Sequence, residues 1–245
     1  MASLEGRIAL VTGASRGIGY FTALALAREG AHVIAVARTS GGLEELDDAI
    51  QADGGSATLV PMDLTDMPAI DRLGGAINER WGKLDILVAN AGVLGTISPV
   101  GHVEAKTFEK VMTVNVTATW RVIRSVEPLL IKSEAGRALI LSSGVAHTAR
   151  AFWGPYAASK AAVETLARVW AAETNKTALK VNSVDPGATR TAMRAQAMPG
   201  ENPESLPHPS EVAAKLVPLC EPGCMETGRL FRVTEKRFFD YHMPE

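Results

Sequence analysis

Short apolar runs alternate with longer amphipathic stretches along this chain. Residues 7–12 (Arg-Ile-Ala-Leu-Val-Thr) are almost wholly apolar and too few for a core helix, so they read as a buried strand. Residues 17–29, rich in Ala and Leu, read as a helix that Gly30 stops. The same alternation predicts strands over 31–37, 57–62, 84–89, 138–141, 179–184 and 227–233. Between them lie helices over 43–52, 70–81 and 104–130, then from Pro155 to about Thr174, then over 211–220. Strands alternating with helices predict an α/β fold, a doubly wound parallel sheet of about seven strands with helices on both faces.

The first turn sharpens this picture. Thr12-Gly13-Ala14-Ser15-Arg16-Gly17-Ile18-Gly19 joins a strand to a helix, and a second strand follows. Glycines there let the backbone approach a pyrophosphate, whose charge sits at the helix N-terminus. In this strand-turn-helix setting the turn reads as the dinucleotide-binding βαβ unit of a Rossmann sheet, with a merely structural turn as the alternative. Ligands of open α/β sheets bind beyond the C-terminal ends of the strands. Gly13, Arg38, Asp63, Asn90, Ser143 and Pro186 all fall at such ends. No long linker, repeat or low-complexity segment precedes residue 190, so residues 1–245 are expected to form a single domain.

Composition narrows the partners. Of 245 residues, 47% are hydrophobic and 21% charged, ample for a core, and the net charge of −2 suits neither nucleic acid nor an anionic membrane surface. The first residues lack a basic region followed by a long apolar run, so no signal peptide is expected. The uncharged stretch 86–103 is broken by Asn, Pro and Gly and reads as no membrane span. The two cysteines, Cys220 and Cys224, are simplest as free thiols in a reducing, cytoplasmic setting. With scattered histidines they make no convincing metal ligand set.

Candidate chemistry concentrates between Ser142 and Lys160. Tyr156 and Lys160 are four apart on one helix and so share a face. Charges ~4 Å apart attract by about 4 kcal/mol at an effective dielectric near 20. An unscreened lysine would therefore draw a tyrosine from ~10 towards ~7, where it exchanges protons at neutral pH. Such a pair alone also occurs on many helices without chemistry.

Taken together, these residues resemble the short-chain dehydrogenase/reductase family, in its compact single-domain branch. The matches are Thr12-Gly13-x-x-x-Gly17-x-Gly19, Asp63, Asn90-Ala91-Gly92, Asn115, Ser143, Tyr156-x-x-x-Lys160 and Pro186-Gly187 with Thr191, over residues 5–195. The resemblance implies a catalytic set of Asn115, Ser143, Tyr156 and Lys160. Tyr156 would be the general acid or base, Lys160 would lower its pKa and bind the nicotinamide ribose, and Ser143 would hold the substrate oxygen. Ser142 is the alternative nearer the strand, disfavoured by spacing. Asn115 would interrupt helix bonding and hold a water beside Lys160. The implied cofactor contacts are Gly13, Ser15, Arg16, Gly17, Ile18, Gly19, Arg38, Asp63, Leu64, Asn90, Ala91, Gly92, Tyr156, Lys160, Pro186, Gly187, Thr189 and Thr191.

The family's NAD binders usually carry an acid at the end of the second strand. Here Ala37-Arg38 stands there, and Arg16 lies in the glycine turn. Two guanidiniums suit a 2′-phosphate, so NADP(H) is expected over NAD(H). Val93, Leu94, Val145, Phe152, Trp153 and Met193 are candidate walls of an apolar substrate pocket, with no obvious anion clamp although Arg150, Arg190 and Arg194 are near in sequence. Residues 190–210, which contain several prolines, resemble a short substrate lid.

Residues 235–245 form a tail unlike the family's usual C-terminal turn, and its aromatics Phe238, Phe239 and Tyr241 are expected to pack on a subunit neighbour or near the pocket rim. Exposed-side Trp120 and Trp170 fit a helix-to-helix contact of a homo-oligomer, dimer or tetramer. The expected activity is hydride transfer between NADP(H) and a small-molecule carbonyl or alcohol. The alternative is a catalytically silent NADP(H) sensor, which the intact catalytic set argues against.

Overall fold

The computed structural model of the chain describes residues 3–241. Strand β1 (Ile8–Thr12) is buried along its whole length because helices cover both faces of the sheet. It pairs in parallel with β2 (His32–Ala37) on one side and β4 (Ile86–Ala89) on the other. β3 (Ser56–Pro61) lies outside β2, while β5 (Arg137–Leu141), β6 (Lys180–Asp185) and β7 (Leu230–Arg232) continue from β4, all in parallel. A short β8 (Arg237–Phe239) closes the edge antiparallel to β7. The order is β3-β2-β1-β4-β5-β6-β7-β8, with the switch point between β1 and β4.

The strands divide their side chains between two cores with a period of two. Ala9 and Val11 enter one core, beneath α1 (Gly17–Arg28), α2 (Ser40–Ala52) and α9 (Pro209–Cys220). Ile8 and Leu10 enter the other, beneath α3 (Met67–Trp81), α5 (Ala118–Ile131) and α7 (Gly154–Glu173), which the short α6 (Val145–Thr148) precedes. Full burial of a side chain such as Leu10 contributes roughly 2 kcal/mol, and the large side chains Leu26, Ile34, Leu46, Ile77 and Leu87 are buried as completely.

Three details depart from the sequence expectation. The helix read over 104–130 consists of α4 (Ala105–Met112), a π-helical turn at Thr113–Thr117, and α5. The extra residue in that turn presents Asn115 inward, and its freed carbonyl accepts from the Thr119 hydroxyl at 2.7 Å.

The sheet gains an eighth strand, and the tail aromatics make these contacts within the chain. Phe238 meets Phe231 edge-on with centroids 5.0 Å apart, and Phe239 lies beneath the guanidiniums of Arg232 and Arg237 at 4.8 and 4.4 Å. Tyr241 sits under Arg168 at 4.5 Å and beside His147. Residues 242–245 of the tail, like 1–2, lie outside the described residues.

Trp170 belongs to the core at 3% exposure, because α7 turns that face to the sheet, whereas Trp120 is exposed. Among the described residues no helix is long and apolar enough to cross a membrane, and no cluster could hold a metal ion.

Candidate active site

The glycine turn after β1 is a tight backbone cradle. Gly13 and Gly17 adopt left-handed φ values of 68° and 59°. A β-carbon on Gly19 would lie 2.3 Å from the Gly13 carbonyl oxygen, so only glycine lets α1 begin this close to β1. Arg16 occupies the N-cap of α1 without supplying a capping oxygen, and no acid lies in the first turn. The positive end of the helix dipole is therefore left for a ligand. Gly42 approaches Ser15 so closely that a β-carbon would lie 2.7 Å from the Ser15 carbonyl oxygen, and Ile18 opens onto the cavity described below.

Asn90 ties the ends of β4 and β1 together. Its Nδ2 donates to the carbonyls of Thr12 and Gly13 at 3.0 and 3.2 Å, while the N–H groups of Asn90 and Ala91 donate to the Thr12 hydroxyl at 3.1 Å. At the end of β3, Asp63 accepts from the Thr65 N–H and hydroxyl at 2.8 and 2.9 Å. These bonds, helped by the nearby charges of Arg38 and Lys110, hold its carboxyl below the usual range. Leu64 is buried, and Arg38 is exposed at the end of β2. This cradle, with two guanidiniums and an uncapped helix N-terminus, fits a phosphate-bearing dinucleotide.

The reactive side chains converge beyond β4, β5 and β6. Ser143 follows β5, and its hydroxyl faces the phenol of Tyr156. Burial pushes Tyr156 up to about 12; the Ser143 hydroxyl pulls it down and Asp185 adds to the rise. This corrects the expectation of a tyrosine drawn towards neutrality. The lysine responsible for that expectation, Lys160, turns its ammonium to the Leu141 carbonyl at 2.6 Å and stands 5.7 Å from the tyrosine ring centroid. Lys160 is itself buried, and desolvation lowers it to about 8 against the pull of Glu164.

Asn115 completes the group. Its Oδ1 accepts from the Val93 N–H at 2.8 Å, and its Nδ2 donates to the Val93 carbonyl at 3.0 Å and the Ser159 hydroxyl at 2.9 Å. Gly92 leaves room there, since a β-carbon would be 3.3 Å from Asn115 Oδ1 and 3.6 Å from Lys160 Nζ.

A cavity of about 260 Å³ opens over Ser143 and Tyr156. Leu94, Val145, Trp153 and Met193 line it, as do Pro186, Gly187, Thr189 and Thr191. Val93 and Phe152 do not. Val93 is engaged through its backbone by Asn115, and Phe152 turns outward at 54% exposure on a left-handed φ of 74°. Thr191 caps α8 (Ala192–Ala197), accepting from the Arg194 N–H at 3.2 Å, so this short helix forms one wall.

Three further residues were not singled out as site residues. Glu164, at 4% exposure, accepts from the Ser142 hydroxyl and from His147 Nε2, 3.0 Å away. Ser142 thus anchors the loop while Ser143 faces the phenol. The signal for Glu164 was its spacing, four residues beyond Lys160 and eight beyond Tyr156, on the same helix face. Asp185 and Arg150 also line the cavity, at its floor and mouth; no spacing marks either of them.

Comparison with known proteins gives this geometry a class. The short chain dehydrogenase family model matches residues 7–202. The Escherichia coli K12 oxidoreductase YciK, itself uncharacterized, is 40% identical over 212 residues, covering 85% of this chain and 84% of that one. Its solved structure superposes with a TM-score of 0.91 at 37% identity, covering 95% of this chain and 96% of the other. A chain from Shigella flexneri 2a, solved in complex with NADP, has a TM-score of 0.90 at 36% identity over 95% of this chain and 99% of that one. The chain belongs to the short-chain dehydrogenase family. It is accordingly an oxidoreductase of CH–OH and C=O groups.

Proposed function

We propose that the protein reduces a small-molecule carbonyl with NADPH, using Tyr156 as the proton donor. The observation that carries this reading is the buried phenol of Tyr156 facing the Ser143 hydroxyl, both lining the cavity. Bound at the glycine cradle, the dinucleotide supplies the hydride; the NADP complex of the Shigella flexneri relative supports a nicotinamide cofactor. Ser143 orients the carbonyl oxygen by donating to it. Tyr156 gives its proton to that oxygen, and a phenol raised to about 12 is held in the donating form at neutral pH. Lys160, anchored by Leu141, would hold the nicotinamide ribose, while Asn115 holds the Val93 segment and Ser159 beside it.

Arg16 and Arg38 take the 2′-phosphate, which favours NADP(H) over NAD(H). The whole chain acts as one nucleotide-binding unit, with residues 190–210 as the lid over the cavity. Phe108, Trp120 and Val169, exposed on α4, α5 and α7, support a homo-oligomeric contact, and the cytoplasm is the compartment.

The test is NADPH oxidation against a panel of aldehydes and ketones. Tyr156→Phe should lower turnover about a thousandfold while leaving NADPH binding intact. Turnover undiminished in that variant would refute the assignment.

A further inference from the structure

Arg150 and Arg194 line the cavity, Arg190 lies just beyond it, and the three are not equivalent. Arg190 is bonded to Glu204, with Nη1 2.9 Å from both carboxylate oxygens. Arg194 holds Glu201 through Nε and Nη2 at 2.5 and 2.6 Å. Arg150 makes no ion pair among the described residues; the nearby Glu201 feels its charge but is already held by Arg194. The Arg150 guanidinium lies 5.6 Å from the centroid of the Trp153 ring, and its Nη2 is 3.7 Å from the Met198 sulfur, a weak acceptor. Neither contact neutralises a charge that lines the cavity.

The backbone supplies a second observation. Of three non-glycine residues with left-handed φ among the described residues, two flank Arg150: Ala149 at 45° and Phe152 at 74°. Such conformations cost about 1 kcal/mol or more each. In this loop Phe152 points outward while Arg150 and Trp153 line the cavity. The opposite end carries the opposite charge. Asp185 lines the floor, its Oδ1 accepting from the Gly187 N–H at 3.0 Å. An anion entering this cavity is repelled from the floor and attracted to the mouth.

We infer that the substrate carries a carboxylate or phosphate, bound by Arg150 at the mouth while the carbonyl lies against Ser143 and Tyr156. This rests on the carbonyl-reductase reading above and adds the substrate's charge and orientation to it.

The experiment compares matched pairs with NADPH: 4-carboxybenzaldehyde against its methyl ester, and glyceraldehyde 3-phosphate against glyceraldehyde. The wild type should favour the anionic member of one pair by about tenfold or more in kcat/KM. That ratio should fall towards one in Arg150→Met and recover in part in Arg150→Lys, and the responding pair names the anion. A wild-type ratio near one in both pairs, or a ratio that Arg150→Met leaves intact, overturns the inference. If no aldehyde is reduced at all, the redox reading fails for these compounds. Calorimetric binding of 4-carboxybenzaldehyde and glyceraldehyde 3-phosphate then decides the Arg150 site by itself. Binding of either that weakens in Arg150→Met supports the site, and its absence, or equal binding by both proteins, overturns it.

Discussion

Lys160 donates its ammonium to the Leu141 backbone carbonyl, 2.6 Å away, from a position almost closed to solvent. The bond fastens the helix of Tyr156 to the end of β5, so one lysine joins the two segments that bear the reactive hydroxyls. Burying that charge has a cost that varies with pH. Folded Lys160 releases its proton from about pH 8, whereas the unfolded chain keeps it to about 10.5. Between these values the unfolded state binds more protons, so the contribution of Lys160 to stability rises with pH and is flat below. The melting temperature of the wild type should therefore gain on that of Lys160→Met between about pH 7.5 and 9.5. A constant difference across that range would contradict it. Above pH 10 the raised Tyr156 acts in the other direction, because the folded state keeps a proton the unfolded chain loses.

Glu164 should act through the serine loop. Truncation in Glu164→Ala leaves the Ser142 hydroxyl and His147 without their shared acceptor. Denaturant unfolding should show a loss of about 2–3 kcal/mol, and turnover should fall as Ser143 loses its register with Tyr156. Glu164→Gln keeps an acceptor oxygen and should recover most of the stability. Equal losses in both variants would mean that the anchoring of Ser142 is unimportant.

The coenzyme preference rests on Arg16 and Arg38. Replacing the pair by Arg38→Asp and Arg16→Ala should shift the NADPH-to-NADH ratio of kcat/KM by about a hundredfold towards NADH. Steady-state kinetics with both coenzymes measures it directly, and an unchanged ratio would remove these arginines from the 2′-phosphate site.

Much of this architecture is legible in the chain because its strands are buried on both sides. Runs such as Ile8–Thr12 and Ile86–Ala89 carry no polar break, and Gly13 and Asn90 follow them directly. Arg237–Phe239 gave no such signal, since its pairing with β7 depends on a turn at Lys236 and on arginine–phenylalanine stacking. The proton affinity of Tyr156 was misjudged for a related reason. Spacing reveals that a lysine is near, but burial and the competing Leu141 carbonyl are properties of the fold. Arg150 and Asp185 gain meaning only when a loop and a strand end, distant in sequence, bound the same cavity.

The three-residue β8 also bears on how the protein survives at high concentration. Without it, β7 would present a row of unpaired N–H and C=O groups, a template for intermolecular pairing. With it, the outermost rung is short and carries Arg237 stacked on Phe239, charge laid over an aromatic ring where a second sheet would have to dock. The β7–β8 hairpin thus leaves only a short, charged edge open to another strand.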